Sequence, residues 1–417
     1  MLKTYPNAEY LTFSNEFYDY FDNQHEYLYE ILNLIVKQYS EPTSLGEEIR
    51  QTFQFNSKIH NILTQLNIHR PNFQIGTYRP DIVFGHGNLF KINGIHSFQP
   101  KICEINARFP FNGYFASAGC CSTDDQNRFS KKYSNSIETT IKLSKFDKKK
   151  PIFILKSKEH GYDIHLFKQY WTKKYSQPCL FIDPKELKIE NKKLFDNNTN
   201  YCIEQFIFEL HQDEILQLSD EIIELFIKNN QLNYINDLRT IFILHDKRLF
   251  SLLSNQQFLY ALLNKSSHRF IQLIPTTYVI NKIPNYLKDS MINNKQDWCI
   301  KPNSSGKGEN ITIGVDVTLD EWKCQLLDSN HEQWIVQEYI PSVQYESMNM
   351  SGLLLCFNNQ CFNIGIIRLS PNKIVNISNG GYFIHPYVHQ EYIHSMNDGS
   401  ILTKEKLHEQ LIELKSI

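Results

Sequence analysis

The segment from Phe73 to Asn106 limits the fold more than any other part of this chain. "FQIGTYRPDIVFG" reads as an extended run, "GHGNLFKING" is turn-rich through Gly85, Gly87 and Gly94, and "KICEINA" is extended again. Parallel strands need a crossover of a dozen or more residues, so two strands joined this closely are expected to pair antiparallel. Residues two apart on a strand share a face, so Arg79 and Asp81 point one way together, as do Glu104 and Asn106. In a pair, these strands would gather an arginine, two carboxylates and an amide. Oxygen donors of that kind suit Mg²⁺, which is usually held by one or two carboxylates plus substrate phosphates. Arg79 would stabilise negative charge beside it. On spacing alone, a solvated sheet face with a salt bridge is the simpler reading. Cys103 is expected to point to the opposite face, into the core.

Composition narrows the function classes. The 417 residues suit two or three domains or one large composite domain, and 41% hydrophobic with 13% aromatic residues supply a sizeable core. A net charge of −2 gives no electrostatic ground for binding nucleic acid or an anionic membrane. No run approaches the roughly 18 apolar residues of a membrane span. "MLKTYPNAEY" lacks the basic and apolar regions of a secretory signal, and the nine cysteines form no C-x-x-C pair. These features predict a reduced, cytoplasmic setting.

Four regions are expected. Residues 1–72 form an N-terminal helical segment, with Ser14 as one cap and Ser44 with Glu47 as a capping box. Residues 73–150 hold the candidate metal-binding strands. Residues 151–235 alternate strand and helix ("PIFIL", "HGYDIHLFKQYWTKK", "PCLFID") and read as a small α/β unit. Residues 236–417 mix helices and strands and end in a packing helix, "TKEKLHEQLIELKSI". The fold class expected is α+β.

Three further stretches bear on chemistry. In "WCIKPNSSGKGENITIG", a strand ends at Lys301 and a loop with Ser305, Gly306, Lys307 and Gly308 follows. Glycines let backbone N–H groups approach phosphate oxygens, and lysine adds charge. The spacing is not that of a Walker A loop, and a plain hairpin loop fits equally well. "WIVQEYIPS" is an apolar strand whose end, Gln337-Glu338-Tyr339-Ile340, could offer backbone groups to an adenine ring. Arg368, inside the apolar strand "GIIRLS", needs a partner, because a buried unpaired cation is costly. A phosphate, an acid or a structural ion pair would serve.

In this order, "RPD", "EINA", "HDKRLFSLL", "CIKPNSSGKGEN", "IVQEYIPS", "GIIR" and "NGGYFIHP" resemble the synthetase domain of glutathionylspermidine synthase, over about residues 73–390. The resemblance implies a circularly permuted ATP-grasp with an inserted small α/β unit, using ATP and Mg²⁺. It implies Asp81, Glu104 and Asn106 as metal ligands, and Arg79 as a catalytic arginine with Arg368 near the reacting phosphate. It also implies Lys247 and Lys301 on the ATP phosphates, "NSSGKGEN" as a mobile loop over the nucleotide, and Gln337 to Ile340 as the adenine hinge. The chemistry that follows is amide formation from a small-molecule carboxylate and amine through an acyl phosphate. Transfer to a thiol or carrier protein, or a degenerate ATP-binding module, stays open. After "EINA" this chain reads Arg108-Phe109-Pro110-Phe111 where the family has an acidic residue and Thr-Pro-Thr. Glutathione and spermidine therefore do not carry over as substrates; Arg108 could bind a substrate carboxylate or lie on the surface.

Overall fold

The computed structural model describes residues 3–4, 11–119, 136–265, 268–304, 306, 308–376, 380–384 and 386–388. The expected C-terminal helix, Ser305 and Lys307 lie outside these residues. The N-terminal region does more than supply helices. Its strands β1 (Lys3–Thr4) and β2 (Leu11–Phe13) join the main sheet. Helices Asn15–Gln38, Ser44–Phe53 and Ser57–His69 follow. Phe17, Phe21, Leu28, Ile31, Leu32 and Ile35 bury one face of the first helix, in keeping with their helical spacing. Thr43, not Ser44, caps the second: its extended backbone lets Oγ1 accept from the Gly46 N–H at 3.0 Å, while Ser44 is already helical.

Next come β3 (Thr77–Ile92) and β4 (His96–Asn106), an antiparallel hairpin. The glycines read as a turn, Gly85 and Gly87, lie inside β3. The reversal itself is at Asn93 and Gly94, whose φ angles of +52° and +68° fit a tight hairpin turn. Gly85 has another reason to lack a side chain, since a Cβ there would come within 2.6 Å of Ile340 Cγ2.

Residues 152–235 supply β5 (Ile152–Lys156), β6 (Cys179–Ile182), β7 (Leu187–Glu190), β8 (Lys193–Asp196), β9 (Cys202–Ile203), β10 (Gln205–Glu209) and β11 (Asn233–Ile235). β7 to β9 form a small antiparallel sheet. The others form a parallel sheet ordered β11-β10-β5-β6, with helix Tyr162–Tyr175 crossing from β5 to β6. This sheet is tied to the hairpin by Asn236, which is fully buried. Its Oδ1 accepts from the Thr77 N–H at 2.8 Å and the Thr77 hydroxyl at 3.0 Å, and its Nδ2 donates to the carbonyls of Thr77 and Ala107, each at 2.8 Å. Asn236→Ala strands these groups in the core. It is expected to cost about 3 kcal/mol or more, read as a lowered urea midpoint with unchanged slope.

A second antiparallel sheet comprises β12 (Thr277–Val279), β13 (Trp298–Lys301), β14 (Thr312–Ile313) and β15 (Ile335–Glu338), ordered β12-β15-β13-β14. It packs its own small core around Ile280, Ile300, Trp322, Leu326 and Val336. The chain then returns to the first sheet with β16 (Gln344–Tyr345), β17 (Met348–Phe357), β18 (Gln360–Ser370), β19 (Tyr382–Ile384) and β20 (Pro386–Val388). The resulting nine-stranded sheet runs β1-β19-β18-β17-β3-β2-β20, with β4 on β3 and β16 on β17. Among the described residues no helix is long and apolar enough to cross a membrane.

Candidate active site

A cavity of about 750 Å³ lies between the nine-stranded sheet and the β12–β15 sheet. The hairpin register builds its floor: Arg79 pairs with Asn106 and Asp81 with Glu104 across the strands, so all four side chains reach the cavity. β17 lies on the other side of β3 and β18 beyond it, which brings Arg368 to the same place. Asp81 holds both arginines: Arg79 Nε donates to Oδ1 at 2.9 Å, and Arg368 Nη2 to Oδ2 at 2.8 Å. The structural ion pair considered for Arg368 is thus present. Its Nε nevertheless lies buried without a partner, a donor left over for an anion.

Cys103 departs from expectation. Asp81 pairs with Glu104 but Ile82 with Ile102, so Cys103 is the extra residue of a β-bulge. The buried–exposed alternation of β4 breaks there, and Cys103 lines the cavity beside Glu104 instead of entering the core. Burial pushes its thiol up to about 12.

From the opposite sheet, Lys301 reaches in at the end of β13. Its Nζ donates to Gln337 Oε1 at 2.6 Å, and Gln337 Nε2 donates to Thr277 Oγ1 at 3.0 Å. Gln337 is fully buried, so its amide orients Lys301 and is not free for a base. Burial alone would lower the Lys301 ammonium, but Cys299, Cys103 and Glu104 around it leave it raised. At the hinge, the N–H of Glu338 donates to Thr276 O and that of Tyr339 to Asp297 O, both at 2.8 Å. These two donors are spent on the protein, while Glu338, Tyr339 and Ile340 line the cavity.

Lys247 does not line the cavity. It lies behind Glu104, with Nζ 3.1 Å from Oε1, and its own N–H donates to Asn303 O at 2.8 Å, tethering the glycine loop. Burial would raise the Glu104 carboxyl, but Lys247, Lys301 and Arg79 outweigh it and hold it low. Gly306 and Gly308 line the rim of the cavity. A Cβ at Gly306 would come within 2.9 Å of Arg108 Nη2, so the loop and the "RFPF" segment meet there.

Among the described residues no group of three or more His, Cys, Asp or Glu side chains is placed to hold a metal ion alone. The donors present fit a shared ion: Asp81, Glu104 and Asn106 are hard oxygen donors, and two carboxylates with phosphates completing the shell is an arrangement usual for Mg²⁺. Arg79, Arg368 and Lys301 bring positive charge to the same cavity.

Three carboxylates that the motifs did not single out close the far end of the cavity: Glu159, Asp163 and Glu209. Asp163 accepts from the Gly113 and Ala116 N–H groups at 3.1 and 2.9 Å. Glu209 ends β10 and is 4% exposed; burial, then Asp163 and Glu159, push its carboxyl well above the ordinary 4.5. The folded protein therefore holds this proton to higher pH than the unfolded chain, and its stability falls as pH rises from about 4.5 through the raised value. Glu209→Gln is expected to remove that part of the fall, so urea midpoints of variant and wild type should diverge with rising pH in favour of the variant.

Residues 24–243, just over half of the chain, match the family model described as the AnkG N-terminal domain. Residues 228–342 match that of the tubulin-tyrosine ligase family, a span that holds Lys247, Lys301 and Gln337 to Ile340. Neither match is to glutathionylspermidine synthase. No curated protein matches the chain in sequence. Among solved structures, a candidate gamma-glutamylcysteine synthetase from Methylobacillus flagellatus KT is similar with a TM-score of 0.44 and 10% sequence identity, over 90% of this chain and 98% of that one.

Proposed function

The chain belongs to the AnkG N-terminal domain family, and within it we propose that this protein is an ATP-dependent ligase joining a carboxylate to an amine. One observation carries the reading. Arg79, Asp81, Glu104 and Asn106 from the hairpin, Arg368 from β18 and Lys301 from the opposing sheet converge on one cavity. The ligase-family likeness of residues 228–342 supports it independently. In this reading the nucleotide lies between the two sheets, and the hairpin that precedes the nucleotide-side sheet in the chain gives the permuted order of an ATP-grasp. Asp81, Glu104 and Asn106 would hold Mg²⁺, which when bound neutralises phosphate charge and aligns the transferring phosphoryl group.

The protein's own part is electrostatic and positional. Lys301, fixed by Gln337, holds a phosphate. Arg79 and Arg368 turn from Asp81 toward the charge that develops as a carboxylate oxygen takes the γ-phosphoryl group. The acyl phosphate so formed is then attacked by the amine, giving the amide and free phosphate. No nucleophilic side chain is required, which agrees with the absence of a G-x-S-x-G elbow in the sequence.

The test is phosphate release with ATP, Mg²⁺ and a panel of acids and amines. Release is expected only when an acid and an amine are both present, and hydroxylamine in place of the amine should yield a hydroxamate. ATP binding with no release across the panel would instead favour a nucleotide-binding module.

A further inference from the structure

The far end of the cavity is built for a ligand that carries both signs of charge. Arg108 is 8% exposed and Glu209 4%, and both line the cavity. Arg108 Nε and Glu209 Oε2 each lie buried without a hydrogen-bond partner. Each charge acts on the other, yet among the described residues the two form no ion pair. A buried polar group without a partner is costly, so the Arg108 cation and the Glu209 carboxyl, which burial holds toward its protonated form, face a common space that a ligand would complete.

Their surroundings hold them apart. The Arg108 guanidinium lies over the Phe109 ring, 4.8 Å from its centroid, and Phe109 is braced edge-on against His211 at 5.2 Å. Glu209 reaches past Gly161, whose φ is +57° and where a Cβ would come within 2.7 Å of Oε1. This end adjoins the reacting centre: Asp163 accepts from the N–H of Gly113, and a Cβ on Gly113 would lie 3.5 Å from Arg79 Cδ.

Building on the ligase reading above, we propose that this end of the cavity binds a free amino acid as its zwitterion, the carboxylate on Arg108 and the ammonium on Glu209, and that this amino acid is the amine substrate. A single carboxylate matches the planar donor edge of the guanidinium; an ammonium favours the ionised form of Glu209 and gives its Oε2 a donor, and Glu209, with its raised proton affinity, takes that proton back as the amine attacks. The neighbouring Glu159 and Asp163 carboxylates repel a second negative charge, so neutral or basic side chains are selected over aspartate and glutamate. A simple amine would leave Arg108 unpaired, and a simple acid would leave Glu209 unpaired.

The test is calorimetric titration of the full chain with each common L-amino acid, alone and with Mg²⁺ and a non-hydrolysable ATP analogue. The best binder is then compared with its decarboxylated amine and its deaminated acid. Each truncated analogue is expected to bind at least about tenfold more weakly, and Arg108→Ala and Glu209→Gln should each weaken the amino acid by a similar factor while nucleotide affinity holds. Arg108→Lys should recover part of the loss, and circular dichroism checks that each variant is folded. Wild-type protein that binds the nucleotide but no amino acid overturns the proposal, as does a carboxylate-free amine that binds as tightly as any amino acid and ignores Arg108→Ala. Amino-acid binding sensitive to both variants, in protein that binds no nucleotide, supports this site and counts against the ligase reading alone.

Discussion

Asp81→Asn is expected to lower ATP-dependent phosphate release by three orders of magnitude or more, on the order of what two misplaced transition-state donors cost. Asp81 is the shared counter-ion of Arg79 and Arg368, with both guanidiniums and the carboxylate each about seven-eighths buried. The amide keeps the shape and one acceptor oxygen, but it cannot hold two cations, nor could it act as the metal carboxylate proposed above. Asp81→Ala goes further and leaves two guanidiniums facing each other, a change that costs roughly 3–5 kcal/mol when a buried pair is broken. The asparagine variant is therefore the cleaner probe, with single-turnover kinetics as the readout and circular dichroism as the fold check. Phosphate release within tenfold of wild type from folded Asp81→Asn protein would sink the site assignment.

The second large effect belongs to nucleotide binding. Lys301→Ala is expected to weaken an ATP analogue by about 10- to 150-fold, the equivalent of roughly 1.5–3 kcal/mol for a hydrogen bond to a charged group. Lys301 is held by the relay through Gln337 to Thr277 at 2.6 and 3.0 Å. Gln337→Leu should give a smaller loss of the same kind, because the ammonium remains but is no longer oriented. Calorimetry with Mg²⁺ present distinguishes the two. If Lys301→Ala bound the analogue as tightly as wild type, the phosphates would have to lie elsewhere.

The parts that sequence made visible were those governed by period and order. Alternation on the hairpin put Arg79 with Asp81 and Glu104 with Asn106, and the observed register aligns the four. A cation inside "GIIRLS" pointed to a partner, and Asp81 is one. What stayed hidden depended on local irregularity or on distant contacts. A one-residue bulge turned Cys103 toward the cavity, and no propensity marks where a bulge falls. Gln337 read as a hinge residue because nothing in "VQEY" shows that its amide is consumed by Lys301 and Thr277. Glu209 was the avoidable omission. A carboxylate within "FIFEL" is as anomalous as an arginine within "GIIRLS", and the same desolvation argument would have flagged it. The strands β1 and β2 were missed for another reason: segments of two and three residues take their structure from partners hundreds of positions away.

Those partners determine when the cavity can be assembled. β1 pairs with β19 and β2 with β20, and Asp81 meets Arg368 across 287 positions of chain. During synthesis the hairpin emerges early, but Asp81 cannot bridge Arg79 and Arg368 until β18 has left the ribosome, and the sheet is not complete until β19 and β20 follow. Contacts of such long range form slowly, because loop-closure entropy must be met before they contribute. The fold thereby acts as a timer: a nascent or interrupted chain carries the hairpin without the ability to assemble the complete cavity around it.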